Sequence, residues 1–262
     1  MFTFENDKCY RMPAFFGGWT YQPAETCYHD VLAITFTCAT DGDRLSAYIP
    51  EGFELLRPEL SVGYSQCRQV DWMGGSAYNL IDVSVPVRFN GRRDRVEGAF
   101  SLVVWENKAT PILTGREETG VPKIYADIED LHILGDKRFT AASFEGNTFL
   151  RLEMAVTGPM DEAGTARFRN LPVNCLNWRY IPKVGGPGAD ISQPVLFPQR
   201  VEAQSVSLGE GSVQWTPLRY EQCPMQAHII KALAELPVRE MSPAVMMQGA
   251  IYLMSPLARV LE

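Results

Sequence analysis

One lysine stands in the run Gly115-Arg116-Glu117-Glu118-Thr119-Gly120-Val121-Pro122-Lys123-Ile124-Tyr125, where a charged turn passes into apolar company. An amine attacks a ketone only when neutral, and an unperturbed lysine, with a pKa of ~10.4, is almost wholly protonated at neutral pH. Burial disfavours the ammonium form, and Val121, Pro122, Ile124 and Tyr125 are neighbours that exclude water. Lys123 is therefore a candidate nucleophile. The plainer alternative is a lysine at the start of a strand, its stem on apolar surface and its head in water. Local sequence alone favours that alternative, since most lysines are solvated.

The segment from Gly115 to Lys123 resembles the active-site segment of the acetoacetate decarboxylase-like superfamily, a glycine-arginine-glutamate followed several residues later by proline and the Schiff-base lysine. Acetoacetate decarboxylase is itself the standing example of a lysine activated by desolvation or a neighbouring cation, so that activation is borrowed with the resemblance. Pro86-Val87-Arg88-Phe89-Asn90-Gly91 and Leu236-Pro237-Val238-Arg239-Glu240 agree in order, and the similarity runs from about Thr40 onward. The departures are specific. The decarboxylases carry a second lysine directly after the first, where this chain has Ile124. They use a glutamate shortly before the proline-valine strand, where this chain reads Tyr78-Asn79-Leu80-Ile81. An arginine near the N-terminus has no clear counterpart around Cys27 to Leu32. The resemblance implies retained amine chemistry with much of the decarboxylating apparatus absent.

A keto acid condensed on Lys123 would give an iminium that promotes either loss of carbon dioxide or loss of a proton to an enamine, and the second route opens aldol chemistry. Arg116 and Glu118 are two apart and would point the same way in an extended segment. Arg116 could hold the carboxylate of a 2-keto acid such as pyruvate through paired hydrogen bonds, with Glu118 ordering a water or trading a proton. A structural ion pair between the two fits equally well. Tyr252 stands where the decarboxylases carry an aliphatic side chain, and a buried phenol needs a partner. Gln248 lies one helical turn earlier on the same face, as its partner and a substrate-binding group. The alternative for Tyr252 is a core tyrosine bonded to a backbone carbonyl. With the resemblance, Tyr252 is read as a proton donor or water-orienting group. The expected function is a cofactor-independent aldolase-dehydratase acting on pyruvate, or a similar 2-keto acid, and an aldehyde. A 3-keto acid decarboxylase and a non-catalytic ligand-binding barrel are the rivals. Homo-oligomerisation is expected by analogy with the superfamily.

Composition narrows the alternatives. A formal charge of -7 argues against a sequence-independent nucleic-acid binder, which needs a net basic face. Cys9, Cys27, Cys38, Cys67, Cys175 and Cys223 are scattered without zinc spacing and read as reduced thiols. His29, His132 and His228 form no metal motif, and no G-x-S-x-G elbow accompanies them. The first residues show no secretory pattern, and no apolar stretch reaches membrane-spanning length. A cytoplasmic location is expected, with neither metal, membrane nor nucleic acid as a partner.

The elements that must position these residues are mostly strands. Alternation marks strands over Val31 to Cys38 and Glu59 to Val70, with a short helix from Asp41 to Tyr48 capped by Asp41 between them. Ala77 to Phe89 and Val96 to Trp105 form a hairpin through Asn90-Gly91. The arginines at its tip, Arg88, Arg92, Arg93 and Arg95, suit a solvated tip better than an anion-attracting lip. Strands are expected at Ile112 to Arg116, Tyr125 to Leu134, Phe139 to Phe144 and Thr148 to Val156. Gly158 to Ala189 reads as loop, followed by strands at Val195 to Val206 and Gly211 to Pro217. Met225 to Leu236 reads as a helix, and Ala244 to Leu261, apolar nearly all round, as a buried one. With 46% hydrophobic residues, the chain can bury a sizeable core. Residues 1–262 are assigned to one β-rich α+β domain, mostly antiparallel, with a helical C-terminal segment. The resemblance implies a cone-shaped β-barrel around a deep pocket.

Overall fold

Two-residue periodicity decides the architecture. In the computed structural model, which describes residues 1–262, the strands place bulky apolar side chains on one sheet face and small or polar ones on the other. Strand β1 is Thr26–Ala39 and leads through helix α1, Gly42–Ser46, to β2, Glu59–Val70. The hairpin follows as β3, Ser76–Asn90, and β4, Arg95–Glu106, then helix α2, Ala109–Thr119, and the short strand β5, Lys123–Tyr125. A second hairpin, β6 (Lys137–Phe144) and β7 (Asn147–Pro159), precedes helix α3, Glu162–Ala166. The chain closes with β8 (Leu171–Pro182), β9 (Ala189–Trp215), helix α4 (Ala227–Ala234) and β10 (Ala244–Leu253).

The pairings run β1-β2-β3-β4-β8-β9, and β10 joins β9 back to β1, so the ladder returns to its first strand. Most pairs are antiparallel; β4 pairs β8 and β5 in parallel. Along β1 to β4 the residues Ile34, Phe36, Val62, Tyr64, Ile81, Val83 and Trp105 enter the main core, together with Phe149 and Leu152 of β7 and Ile230 of α4. The residues between them, such as Thr35, Gly63, Asp82 and Val104, line a cavity on the opposite face.

The expected strands and hairpin in the first half are observed, as is α1, whose Asp41 side chain accepts from the backbone N–H groups of Asp43 and Arg44. Arg88 pairs with Glu97 and Glu54, and Arg93 with Glu262, so the hairpin tip carries exposed ion pairs. Four expectations are corrected. Ile112 to Arg116 is not a strand but part of α2, which Gly120 ends in the left-handed region at φ 68°, its N–H returning to the Gly115 carbonyl. The presumed loop from Gly158 to Ala189 contains α3 and β8; Pro172 and Pro182 disguise the alternation, yet both pair with β9. The two strands placed at Val195 to Pro217 are one strand, β9, of 27 residues, kinked by register shifts as it passes between partners.

The fourth correction is the C-terminal helix, which is strand β10 followed by a single 3-10 turn at Ser255–Leu257 and the short strand Arg259–Val260. A strand paired on both sides with apolar residues on both faces shows no clear alternation, so its pattern does not distinguish it from a buried helix. Gly249 decides the matter locally: a Cβ there would lie 2.1 Å from the Glu202 carbonyl oxygen, an approach only glycine permits.

Candidate active site

The register carries the site. Val104 of β4 is opposite Lys123 of β5, Asp82 of β3 is opposite Val104, Gly63 of β2 is opposite Asp82, and Thr35 of β1 is opposite Gly63. All five line one cavity of about 730 Å³. The next rung, Glu106, Leu80, Ser65 and Ala33, lines it as well. A smaller cleft of about 360 Å³, lined by Phe100, Trp178 and His228 among others, holds neither an acid nor an amine.

Lys123 is positioned from both sides. Its side chain is only 14% exposed, and Nζ donates to the Pro111 carbonyl oxygen at 3.0 Å while standing 2.8 Å from Glu106 Oε1. Helix α2 lies against the lysine through Gly115. Its C-cap, Gly120, meets the backbone of Arg179, to which a Cβ would come within 2.5 Å.

The Glu106 side chain is fully buried, and Lys123 is its ion-pair partner. That contact is close but lies off the hydrogen-bond direction, and no other group donates to either carboxylate oxygen. Burial pushes its pKa up, and the neighbouring Lys123 pulls against that. Asp82 is the second acid of the cavity. It lines the cavity, and desolvation pushes its pKa up to about 6, opposed by the hydrogen bond that Ser84 Oγ donates to Oδ2 at 3.3 Å. Gly63 leaves the room this carboxylate occupies, since a Cβ there would lie 2.3 Å from Asp82 Oδ1.

The sequence-based site residues separate. Lys123 and Glu118 line the cavity; Arg116, Gln248 and Tyr252 do not. Because Arg116 and Glu118 lie on a helix, a spacing of two turns them apart. Arg116 donates to the backbone carbonyl of Lys123 at 2.8 Å and so holds the lysine's main chain. Glu118 pairs with Arg11, the one arginine on the cavity wall. In β10 the cavity side is Val245, Met247, Ile251 and Leu253, so Gln248 and Tyr252 fall on the opposite face. The Arg200 guanidinium stacks 4.0 Å above the Tyr252 ring and pairs with Glu25 and Glu202.

Sequence reasoning missed Glu106, Asp82 and Asn177. Their signal is a polar residue, in phase with cavity-facing neighbours and flanked by apolar ones: Asp82 between Ile81 and Val83, Glu106 after Val103-Val104-Trp105, Asn177 between Leu176 and Trp178. No group of three or more His, Cys, Asp or Glu converges in the chain, and no helix is long and apolar enough to cross a membrane.

The family model described as acetoacetate decarboxylase (ADC) matches residues 11–259. An acetoacetate decarboxylase of Burkholderia vietnamiensis is 24% identical over 243 residues, covering 90% of this chain and 88% of its own. The crystal structure of acetoacetate decarboxylase from Legionella pneumophila superposes with a TM-score of 0.75 at 19% identity, over 94% of this chain and 92% of its own. The enduracididine biosynthesis enzyme MppR complexed with pyruvate superposes with a TM-score of 0.68 at 15% identity, over 93% of both chains. MppR has also been solved with the condensation product of pyruvate and imidazole 4-carboxaldehyde. The match along nearly the whole sequence, on a fold shared with these enzymes, means that the chain belongs to the acetoacetate decarboxylase family.

Proposed function

We propose that this protein is a Schiff-base-forming lyase, an aldolase-dehydratase that joins pyruvate or a similar 2-keto acid to an aldehyde through Lys123. One observation carries the reading: the Lys123 amine stands 2.8 Å from the buried carboxylate of Glu106 inside a cavity large enough for both substrates. A carboxylate whose pKa is raised by burial accepts a proton readily, so Glu106 is assigned as the base that takes the proton from the Lys123 ammonium. The neutral amine adds to the ketone, and the carbinolamine loses water as Glu106 returns the proton to the departing hydroxyl. The resulting iminium gives up a proton from the adjacent methyl to the Glu106 carboxylate to form an enamine, whose carbon attacks the aldehyde as that proton passes to the aldehyde oxygen. Loss of water from the adduct and hydrolysis of the imine then free the lysine.

Arg11 takes the carboxylate-binding role that the sequence suggested for Arg116, because it is the guanidinium on the cavity wall. Glu118 is its counter-ion and hands it to the substrate carboxylate on binding. The container is a closed, cone-shaped barrel formed by the returning strand ladder, and residues 1–262 act as one domain in a cytoplasmic homo-oligomer. Pyruvate and a pyruvate condensation product in MppR support the choice of keto acid.

Decarboxylation of a 3-keto acid is the second reading, favoured by the acetoacetate decarboxylase of Burkholderia vietnamiensis, which aligns along most of the chain. Ile124, where the decarboxylases place their second lysine, weighs against it. Incubation with pyruvate and a panel of aldehydes should yield conjugated keto acids by ultraviolet absorbance, dependent on Lys123. Carbon dioxide release from acetoacetate without any condensation product would reverse the order of the two readings.

A further inference from the structure

Asn177 is fully buried and lines the cavity, yet neither its amide nitrogen nor its amide oxygen has a partner. A buried amide with both ends open is rare, because each unmade hydrogen bond forfeits the solvation it had in water. Asn177 shares the inward phase of β8 with Cys175, which is opposite Ala99 of β4. Carried two residues along, that parallel register sets Asn177 beside Ser101, and Ser101 is opposite Ser84 of β3, whose hydroxyl donates to Asp82. The four residues make a continuous polar strip across three strands, on a wall otherwise formed by residues such as Val104, Val173 and Ala99.

The strip lies apart from the amine. Asp82 and Lys123 are on one rung with Val104 between them, two strand spacings or roughly 10 Å from Cα to Cα. It therefore faces the far end of a molecule whose carbonyl meets Lys123. Its chemistry defines that end. Asp82 is an acceptor when ionised, and Asn177 offers both donor and acceptor. With Glu106 and Asp82 as neighbours and Arg11 taken by the substrate's first carboxylate, a second carboxylate or a phosphate would be repelled. An ammonium could donate to Asp82 but would leave the Asn177 amide N–H groups open. A hydroxyl is the smallest group that donates to Asp82 and accepts from Asn177 at once.

We propose that Asn177, Asp82, Ser84 and Ser101 form a second polar subsite that takes a hydroxyl on the tail of the carbonyl substrate. This rests on the Schiff-base reading for which carbonyl is anchored, and deepens it by naming the anchored substrate as a keto compound that carries a hydroxyl on its tail.

The test compares isosteric ketones, 5-hydroxypentan-2-one against hexan-2-one and 7-hydroxyheptan-2-one against octan-2-one, by calorimetric titration of the wild type and of Lys123→Ala. The hydroxylated member of at least one pair should bind about 10-fold more tightly, the worth of one charge-assisted hydrogen bond, and the preference should persist in Lys123→Ala, which forms no imine. Asn177→Leu, of similar volume, and Ser84→Ala should each bring the ratio toward unity by weakening binding of the hydroxylated member, which a merely structural role would not do. Should Asn177→Leu not fold, Ser84→Ala carries the comparison. Equal affinity within both pairs, or no measurable binding of any of the four ketones, overturns the subsite. Borohydride trapping of hexan-2-one on wild-type Lys123 reads the other claim separately. Failure to trap with the hydroxyl preference intact sinks the catalytic reading and leaves the subsite standing; trapping without the preference does the reverse.

Discussion

The Cβ that Gly115 lacks would lie 2.7 Å from both Cδ and Cε of Lys123 and 2.9 Å from its Nζ, so helix α2 and the lysine share one space only because position 115 has no side chain. Gly115→Ala should raise intrinsic helix propensity by up to about 1 kcal/mol while pushing the amine away from Glu106. The colliding atoms belong to a flexible side chain, so the fold tolerates the change. Melting temperature should move by only a few degrees, and the rate of adduct formation on Lys123 should fall at least roughly 10-fold, as misplacement of a reacting group predicts. Unchanged adduct formation would mean that the observed lysine position is not the reactive one.

Glu106→Gln keeps the shape and removes the base. Imine formation near pH 7 should fall by about 10²- to 10⁴-fold, the usual worth of a positioned base. The loss should shrink as pH rises and solvent hydroxide takes over the deprotonation. A flat deficit across pH 6 to 9 would argue that Glu106 acts on a later step.

Asp82 predicts a stability effect with a definite sign. Its pKa of about 6 in the folded state exceeds its ordinary 3.8, so the stability it contributes is fully present below pH 3.8 and is lost as pH rises through about 6. The gap of roughly two units corresponds to about 3 kcal/mol at most. Asp82→Asn should therefore be more stable than wild type at pH 8 by up to that amount and nearly equal to it at pH 4, measured by urea denaturation. A variant less stable at pH 8 would show that the carboxylate is held by interactions stronger than its desolvation.

What the sequence reveals of the fold and the site depends on the kind of signal. The hairpin through Asn90-Gly91 and the cap at Asp41 are local chemistry, and both are where the residues put them. Lys123 was legible through its motif, and its position on the cavity wall follows from β5 pairing with β4. Arg116 and Glu118 were read as an extended pair because nothing in Thr114-Gly115-Arg116 announces helix; the decisive residue is Gly120, a cap, which the motif had absorbed as a turn. Glu106 is 17 residues from Lys123 in sequence and beside it in space, a relation that only strand register creates. The C-terminal segment failed for a different reason: apolar residues on both faces erase the periodicity that distinguishes strand from helix.

Tyr252 illustrates the consequence. Read as part of a helix, it is expected to donate a proton or orient a water; on β10 it stacks beneath Arg200 on the opposite face from the cavity. Tyr252→Phe keeps the ring and the stacking, so condensation and dehydration rates should stay within about threefold of wild type and stability within about 1 kcal/mol. A selective loss of the dehydration step would restore the phenol to the mechanism and require a route from that face into the site.

The proposed function stands on Lys123 as the covalent nucleophile. Borohydride reduction in the presence of pyruvate, followed by intact-mass measurement and peptide mapping, tests it most directly. One pyruvate-derived adduct per chain is expected, located on Lys123 and absent from Lys123→Ala. An adduct on any other lysine, or none in protein shown to be folded, would contradict it.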